Sequence, residues 1–414
     1  MLLSQEYREN WSVFSKITFR FVFLYFGLYI FFLFTGRMFF EDFFAWVGKN
    51  ILKSKGRLEY FPTGSGDTTM AYISIFVQVI FTIIGTFLWS ILDRKRKSYN
   101  TSFYWLLVLI RIALVVFMLA YGFAKVYKTQ FPSPNLSQLL EPLGKHSPMA
   151  LAWIYMGHSE GFNFFTGLLE VLCGLLLIPR RTQTLGSILT MMVMFQIVLL
   201  NLFYDIPVKQ FAIHLFLMAS LIFFTDIKRV WTVFVKNKSV EDYKFFHPVK
   251  SRGYHKFIFW FKLIVTILFV STMAYQGSQT EKTFGDDREK SELYGIWEVH
   301  KFTKNSIERP AIVTDTLRWR YLIFDQKGVA CIRTMDNKAT WYNAEYDESK
   351  KELAIFRRSD SIDHKPFQIS KTANELSLKG VFKKDTLSLE LKAVDLKKFP
   401  LINRPFRWIQ ETPN

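Results

Sequence analysis

The feature that most constrains the fold is a series of apolar runs, each long enough to cross a lipid bilayer. One of them, "FYWLLVLIRIALVVFMLAYGFA" at residues 103–124, contains one charged residue, Arg111. A transmembrane helix needs about 20 consecutive, mainly apolar residues, and about seven segments meet that requirement. We therefore predict an α-helical membrane bundle of about seven transmembrane helices. The predicted spans are approximately residues 17–36, 70–92, 103–124, 162–178, 185–201, 208–224 and 257–275.

Basic residues alternate between the loops, which predicts an orientation. The chain has a formal net charge of +18, and its basic clusters include "DRKRK" (93–97), "RR" (180–181) and the stretch 228–256. In membrane proteins such clusters mark cytoplasmic loops, which argues against nucleic-acid binding. We expect a cytoplasmic N-terminus and, with an odd number of spans, an extracytoplasmic C-terminal region. The basic loop 37–69 disagrees with this orientation, although "FFEDFFAWVGKNIL" within it fits an interfacial amphipathic helix.

Chemistry-bearing motifs are scarce. The two cysteines, Cys173 and Cys331, belong to different segments, and neither is part of a Cys-x-x-Cys. This excludes a disulfide framework, a cysteine zinc site and a dithiol redox motif. No pattern indicates a hydrolase nucleophile, a phosphate-binding loop or a metal cage. We therefore expect no metal and no independent catalytic activity.

Composition changes after Tyr275, where a polar linker at 277–292 leads into short alternating segments. Roughly eight such strands, separated by turns such as "DQKG" and "DESKK", predict an all-β meander barrel. Gly295-x-Trp297 near its start, with Arg404 and Arg407 near its end, resembles the lipocalin pattern. That resemblance implies an arginine that packs over the tryptophan and closes the base of the barrel. The alternative is a generic antiparallel barrel or sandwich without a ligand.

Four polar side chains within the predicted spans lie at similar depths. At about 1.5 Å per residue, Arg111, Glu170, Gln196 and His214 can meet in the outer half of the bundle. Two interpretations stay open. The first is a buried Arg111–Glu170 ion pair that fixes helix register. The second is a site that handles a proton or binds a ligand, since ionisable residues inside membranes are usually functional.

A second polar group is predicted at the outer boundary of the spans. It comprises Lys125, Asn201, Asp205 and Lys209, which we call the outer rim. The predicted outer loop between spans three and four contains "LSQLLEPLGKHSPMALAWIYMG", two short helical pieces separated by proline and glycine. This loop is either a connector lying at the membrane interface or a lid over a cavity that opens outward.

The sequence around the third and fourth spans resembles the DoxX family of bacterial inner-membrane proteins. The match lies in "LVLIRIALVVFMLAYGFAKVY" (107–127) and "FFTGLLEVLCGLLLIPRRTQTLG" (164–186). The matching positions are Arg111, Gly122, Lys125, Gly167, Glu170, Gly174, Arg180 or Arg181, and Gly186. With "LYGIWEV", "DTLRWRYLIFD" and "NRPFRWIQE", the chain is similar to larger DoxX-like proteins, common in Bacteroidota, that carry an outer domain.

The resemblance implies a DoxX-like four-helix core at 103–226, preceded by two spans at 1–102. A basic loop and last span at 227–276 and the linker at 277–292 then lead to the outer β domain at 293–414. The family name comes from a subunit of a thiosulfate–quinone oxidoreductase, and other relatives belong to oxidative-stress complexes. The resemblance therefore implies a role near redox chemistry.

Three functions fit these observations. The first is an accessory membrane component of a redox or oxidative-stress system that binds quinone or another apolar molecule between spans three and six. The second is a transporter or lipid-handling protein whose barrel delivers an apolar molecule to the bundle. The third is an envelope scaffold whose β domain binds a membrane or periplasmic protein.

Overall fold

A computed structural model describes residues 10–36, 38–59, 64–241, 246–249, 251–357, 365–404 and 406–411. The chain forms two compact units, which we call the helical unit and the barrel unit. The helical unit comprises Met1–Val126 and Phe164–Gly277, and the barrel unit comprises Tyr127–Asn163 and Ser278–Asn414. The predicted fold class, a bundle of long apolar helices followed by an antiparallel β-barrel, is confirmed.

Six helices in the described part of the chain are long and apolar enough to cross a membrane: α1, α3, α4, α7, α8 and α11. A seventh candidate span is the pair α9–α10, which is bent by 68°. The helices are α1 (Val13–Phe31), α2 (Glu41–Asn50), α3 (Thr69–Leu92), α4 (Asn100–Val126), α5 (Leu136–Leu139), α6 (Pro148–His158), α7 (Glu160–Leu177), α8 (Gln183–Phe203), α9 (Lys209–Thr225), α10 (Ile227–Phe234), α11 (Arg252–Phe284) and α12 (Pro400–Asn403).

The last long helix runs further than the sequence predicts. The predicted span ends at residue 275 and the predicted linker begins at 277, but α11 continues to Phe284. Gly277 does not stop it, because an internal glycine costs a helix only about 1 kcal/mol. The polar residues that follow Gly277 therefore extend the helix by almost two turns, and the linker prediction is wrong up to Phe284.

The core of the helical unit comes from apolar faces of α1, α4, α7, α8 and α9. Tyr29, Leu114, Met194 and Met218 are among its buried side chains. A smaller cluster joins α2 to α3, where Phe44 is buried. The predicted amphipathic segment is thus a helix, and it buries its apolar face against α3.

Eight antiparallel strands close the barrel in meander order. The strands are β1 (Gly295–Lys304), β2 (Ile307–Glu308), β3 (Trp319–Phe324), β4 (Val329–Thr334), β5 (Ala339–Asp347), β6 (Glu352–Phe356), β7 (Phe367–Lys371), β8 (Glu375–Phe382) and β9 (Asp385–Ala393). Each strand from β3 to β8 pairs with the strand that follows it in the chain. β1 pairs with both β3 and β9, which closes the barrel, and the two-residue β2 pairs with the end of β1. Alternate residues such as Trp297, Leu322 and Leu389 fill the interior.

The segment 127–163 packs with the barrel, which corrects its assignment to the four-helix core. Outward-facing Ile296, Ile323 and Cys331 form an apolar patch, and Leu136 of α5 is buried against it. Burial of this outer patch beneath α5 is favourable because it removes apolar surface from water. Polar contacts hold the segment in place as well: buried Arg333 donates to the carboxylate of Glu141 at 2.7 Å.

Asp286 binds the start of the same segment. Its carboxylate accepts hydrogen bonds from Lys128 Nζ at 2.5 Å, Ser133 N at 2.9 Å and Ser133 Oγ at 2.7 Å. Burial by itself raises the pKa of Asp286, but the bonds from Lys128 and Ser133 outweigh burial and hold the pKa below its ordinary value. The acid therefore stabilises this junction in its ionised form.

Candidate functional site

The crossing of α4 and α7 is close because it is made by glycines. A Cβ added to Gly122 would lie 2.9 Å from the carbonyl oxygen of Gly167, and a Cβ added to Gly167 would lie 2.7 Å from the carbonyl oxygen of Gly122. No other residue permits that approach, which is typical of small-residue contacts between membrane helices. The crossing brings the next turn of each helix into side-chain contact.

A buried ion pair lies beside this crossing. Lys125 Nζ donates to Glu170 Oε1 at 2.6 Å, and the side chains are 8% and 2% exposed. The ammonium also lies 5.9 Å from the ring centre of Tyr121. The second carboxylate oxygen, Oε2, is buried and has no hydrogen-bond partner among the described residues. Glu170 therefore has one oxygen committed to Lys125 and one available to accept a further bond.

Arg111 has a different role from the predicted one. Its guanidinium donates to the carbonyl of Leu177 at 2.7 and 2.9 Å and to that of Ile178 at 2.6 Å. The last carbonyls of a helix lack partners within the helix and carry partial negative charge. Arg111 therefore caps α7, and the predicted Arg111–Glu170 ion pair is wrong, because Glu170 pairs with Lys125.

His214 contacts the first helix, α1. The sequence analysis compared only spans three to six and did not predict this partner. Its Nδ1 lies 2.6 Å from the Gln210 carbonyl and its Nε2 lies 2.8 Å from the Tyr25 hydroxyl. A carbonyl oxygen only accepts, so Nδ1 carries a proton, and in the neutral ring Nε2 accepts from Tyr25. The imidazole also stacks on Tyr29, with ring centres 3.9 Å apart.

Gln196 does not join any cluster. It lies on the exposed surface of α8, whereas Glu170 and His214 are buried. Position along a helix predicts only a level; the face on which a residue lies decides whether it enters the bundle. The predicted four-residue cluster is therefore corrected to separate contacts: Glu170 with Lys125, Arg111 with the end of α7, and His214 with α1.

The outer-rim residues also separate. Lys125 is the buried partner of Glu170 and not a boundary residue. Buried Asn201 donates to the Val208 carbonyl at 3.4 Å. Lys209 Nζ pairs with the exposed Asp205 carboxylate at 2.7 Å. A carboxylate missed by the sequence analysis, Asp67, accepts from the backbone N–H of Lys209 at 2.7 Å and therefore caps the start of α9.

A polar line along α3 was also missed, although its spacing is readable in the sequence. Ser74, Gln78, Thr82, Thr86 and Ser90 recur every four residues, so each lies next to the following one along the helix surface. The first four are buried, and the hydroxyls of Thr82 and Thr86 have no hydrogen-bond partner among the described residues.

This α3 line is connected to other polar groups at both ends. Gln78 donates to the backbone carbonyl of Tyr25 at 3.1 Å. At the far end, Arg20 donates to Ser90 Oγ at 2.9 Å and to the Tyr99 hydroxyl at 2.8 Å. The Tyr99 hydroxyl in turn donates to Asp93 at 2.9 Å. The line covers about 24 Å of helix, most of the hydrocarbon thickness of a bilayer.

The predicted closure of the barrel is wrong in one respect. Gly295 begins β1 with φ of +139°, and Trp297 is buried with its indole N–H bonded to the Leu293 carbonyl at 2.9 Å. Arg404 and Arg407 are both exposed, so neither covers this tryptophan.

Two other arginines in the described part of the barrel are buried: Arg333, which pairs with Glu141, and Arg318. The latter donates to the carbonyls of Val299 and His300, each at 3.2 Å, where a bulge interrupts the pairing of β1 with β9. Arg318 therefore donates to two backbone carbonyls beside the bulge. Nothing in the sequence distinguished Arg318 from the two terminal arginines.

Metal binding has no geometric support in the part of the chain that the structure describes. Within it, no three His, Cys, Asp or Glu residues lie close enough to hold an ion. Cys173 and Cys331 are both buried free thiols, one in each unit. The groups able to bind a ligand in the helical unit are therefore hydrogen-bonding ones, chiefly Glu170 and Lys125.

Comparison with known proteins gives one relationship. Uncharacterized protein YwoB of Bacillus subtilis (strain 168) is 30% identical over 139 residues, which is 34% of this chain and 84% of YwoB. The chain belongs to the YwoB family. Because YwoB is itself uncharacterized, the relationship adds no substrate or partner. No family model matches the chain. No solved structure matches it.

Proposed function

We propose that this YwoB-family chain is a DoxX-like accessory component of a redox or oxidative-stress system in the bacterial inner membrane. It binds a quinone, or a similar apolar molecule with a polar head group, at the Lys125–Glu170 pair. The observation that carries the proposal is the buried Oε2 of Glu170, which has no partner among the described residues. A buried polar atom without a partner costs about 1–3 kcal/mol, and a bound donor would remove that cost.

The chemistry of the pair suits both redox forms of a quinone. The carboxylate of Glu170 accepts a hydrogen bond from a hydroquinone hydroxyl, and the ammonium of Lys125 donates to a quinone carbonyl. The aromatic ring of Tyr121 lies beside the ammonium and supplies an apolar wall. Neither hydrogen bond requires the chain to have a catalytic centre of its own, which agrees with an accessory role.

The DoxX resemblance supports the same proposal. Its motif positions include Gly122 and Gly167, which make the helix crossing, and Lys125 and Glu170, which form the ion pair. Residues that are far apart in the sequence thus meet in one place. In this proposal the N-terminus is cytoplasmic and the barrel unit is extracytoplasmic, as the basic loops indicate.

Quinone binding by the full-length protein in lipid nanodiscs tests the proposal. Titration with a short-chain ubiquinone and a short-chain menaquinone is followed by tryptophan fluorescence, and native mass spectrometry shows which molecules co-purify. Glu170→Gln should weaken binding by roughly tenfold, the value of a charged hydrogen bond. Glu160→Gln is the matched control, since Glu160 is exposed at the start of the same helix.

The double variant Lys125→Gln/Glu170→Gln removes both charges and avoids leaving one of them unpaired. It should keep the helical circular-dichroism signal and lose quinone binding. If a folded Glu170→Gln protein and the folded double variant both bind quinones as tightly as the unmodified protein, this site is not the quinone site. If no quinone binds and none co-purifies, the proposal that the ligand is a quinone is refuted.

A second candidate function, transport coupled to protons, is favoured by the polar line on α3. The unpartnered hydroxyls of Thr82 and Thr86 lie in the interior of the helical unit, where water molecules could satisfy them. Proton flux through the protein is measured in proteoliposomes that contain a pH-sensitive dye. Thr82→Val/Thr86→Val should abolish proton flux, whereas Thr272→Val on the exposed surface of α11 should not. Equal flux with and without the protein excludes this function.

A further inference from the structure

The barrel unit contains a cavity of its own, with a volume of about 230 Å³. Its walls come from the segment 132–138, from α6, from the end of α11 and from the turn between β3 and β4. All of these elements belong to the barrel unit. The cavity therefore belongs to a different unit from the Lys125–Glu170 pair.

Two tryptophans form its aromatic walls, and the structure fixes one of them firmly. α6 approaches the chain so closely at Gly157 that an added Cβ would lie 2.1 Å from the Pro132 carbonyl oxygen. This contact holds Trp153, one turn earlier on α6, and its ring also packs edge-on against Phe131 with ring centres 5.0 Å apart. Trp341, which faces outward from β5, is 47% exposed. Both rings line the cavity.

The polar wall offers hydrogen-bond donors. Asn135 and Gln138 form a capping box in which each side-chain oxygen accepts a backbone N–H at 2.9 Å. Both oxygens are therefore committed, while both –NH₂ groups lack an acceptor among the described residues. The same holds for the indole N–H groups of Trp153 and Trp341. The side chains that line this cavity therefore carry four N–H donor groups and two indole rings.

Charge in the cavity is already balanced. Arg288 donates to the Asp325 carboxylate at 2.9 Å, and both side chains are largely buried. A site whose only two charged groups neutralise each other gives no net attraction to a cation or an anion. A charged ligand would also lose its hydration without gaining an opposite charge. The ligand is therefore neutral and rich in oxygen atoms that accept hydrogen bonds.

We propose that this cavity binds one sugar residue of a neutral glycan. The C–H face of a sugar ring is weakly positive and is attracted to the negative face of an indole ring, while its hydroxyls accept from indole and amide N–H groups. The volume lies below the ~300–1,000 Å³ of sites for drug-sized molecules, which limits the ligand to about one ring. Trp341 lines the cavity and is 47% exposed, so a glycan that stacks on it could continue into solvent.

Sugar binding by the full-length protein in nanodiscs tests this inference. The probes are glucose, N-acetylglucosamine and their neutral trisaccharides, followed by saturation-transfer NMR and tryptophan fluorescence. A proline-rich decapeptide serves as the competing ligand class. Trp341→Ala should weaken sugar binding by roughly tenfold, since it removes one of the two indole faces on which the sugar ring stacks. The matched control is Trp408→Ala, because Trp408 is 91% exposed and does not line the cavity.

Gln138→Leu gives a second test that leaves the aromatic walls unchanged. It should weaken binding of every sugar that Trp341→Ala weakens. If no probe sugar binds, if Trp341→Ala and Trp408→Ala bind sugars equally well, or if only the decapeptide binds, the inference is wrong. Glu170→Gln should leave sugar binding unchanged, so a failure of the quinone proposal and a failure of this one are distinguishable.

Discussion

Removal of the Lys125 charge should destabilise the helical unit, and removal of the Glu170 charge as well should restore most of the loss. The Glu170 side chain is only 2% exposed, so water cannot solvate its carboxylate once Lys125 is gone. Breaking a buried pair typically costs about 3–5 kcal/mol, while replacing both members by apolar residues is often neutral. We therefore expect Lys125→Met to cost about 3 kcal/mol and Lys125→Met/Glu170→Leu to lie within about 1 kcal/mol of the unmodified protein.

The two single variants should differ from each other. Lys125 is the second-last residue of α4, so its long side chain can turn toward the end of the helix when Glu170 is removed. Glu170 lies in the middle of α7, so its shorter side chain cannot reach the end of the helix. Glu170→Leu should therefore cost only about 1 kcal/mol, well below the cost of Lys125→Met.

Reversible unfolding in mixed micelles, followed by the helical circular-dichroism signal, measures these free energies. Gln196→Leu is the control, because an exposed surface change should stay within about 0.5 kcal/mol. If the double variant loses as much as the two single variants together, the charges are not coupled, and the pairing described above is refuted.

Three further predictions concern the barrel unit. The folded pKa of Asp286 lies below its ordinary value, so its stabilising effect is present above about pH 4 and is lost as the pH falls through the folded pKa. Thermal unfolding should show an acid-induced loss of stability that Asp286→Asn reduces. Gly157→Ala should lower the unfolding temperature because its Cβ would collide with a backbone carbonyl, whereas Gly144→Ala, with open space around it, should not. Burial raises the pKa of the Cys331 thiol, so a maleimide should label it at neutral pH only after unfolding.

The barrel could be predicted from sequence because its information is local. Alternation along β3 and β4 gives the inside and outside of each strand, and the turns between strands give the meander order. The position of Gly295 and the burial of Trp297 follow the same pattern. The closing arginine was assigned wrongly because its partner is a bulge in β1, and a bulge depends on the register between two strands.

The site in the helical unit was harder to predict because the position of a residue along a helix does not say which face of the helix it lies on. The prediction compared Glu170, Gln196 and His214 by their positions along the spans, yet Gln196 lies on the outer face of α8. The partner of Glu170 was named as a rim residue because Lys125 lies near the end of its helix. Its long side chain and the glycine crossing bring its ammonium to the carboxylate.

The sequence by itself determined that this is a multispan helical protein with a separate β-barrel, because run length, charge and alternation are properties of contiguous residues. Tertiary structure alone decided which charges meet. It paired Glu170 with Lys125, used Arg111 as a helix cap, and joined the segment 127–163 to the barrel. The physical reason is that ion pairs and cavities depend on how helices cross and which faces they bury, and those are set by packing between distant segments.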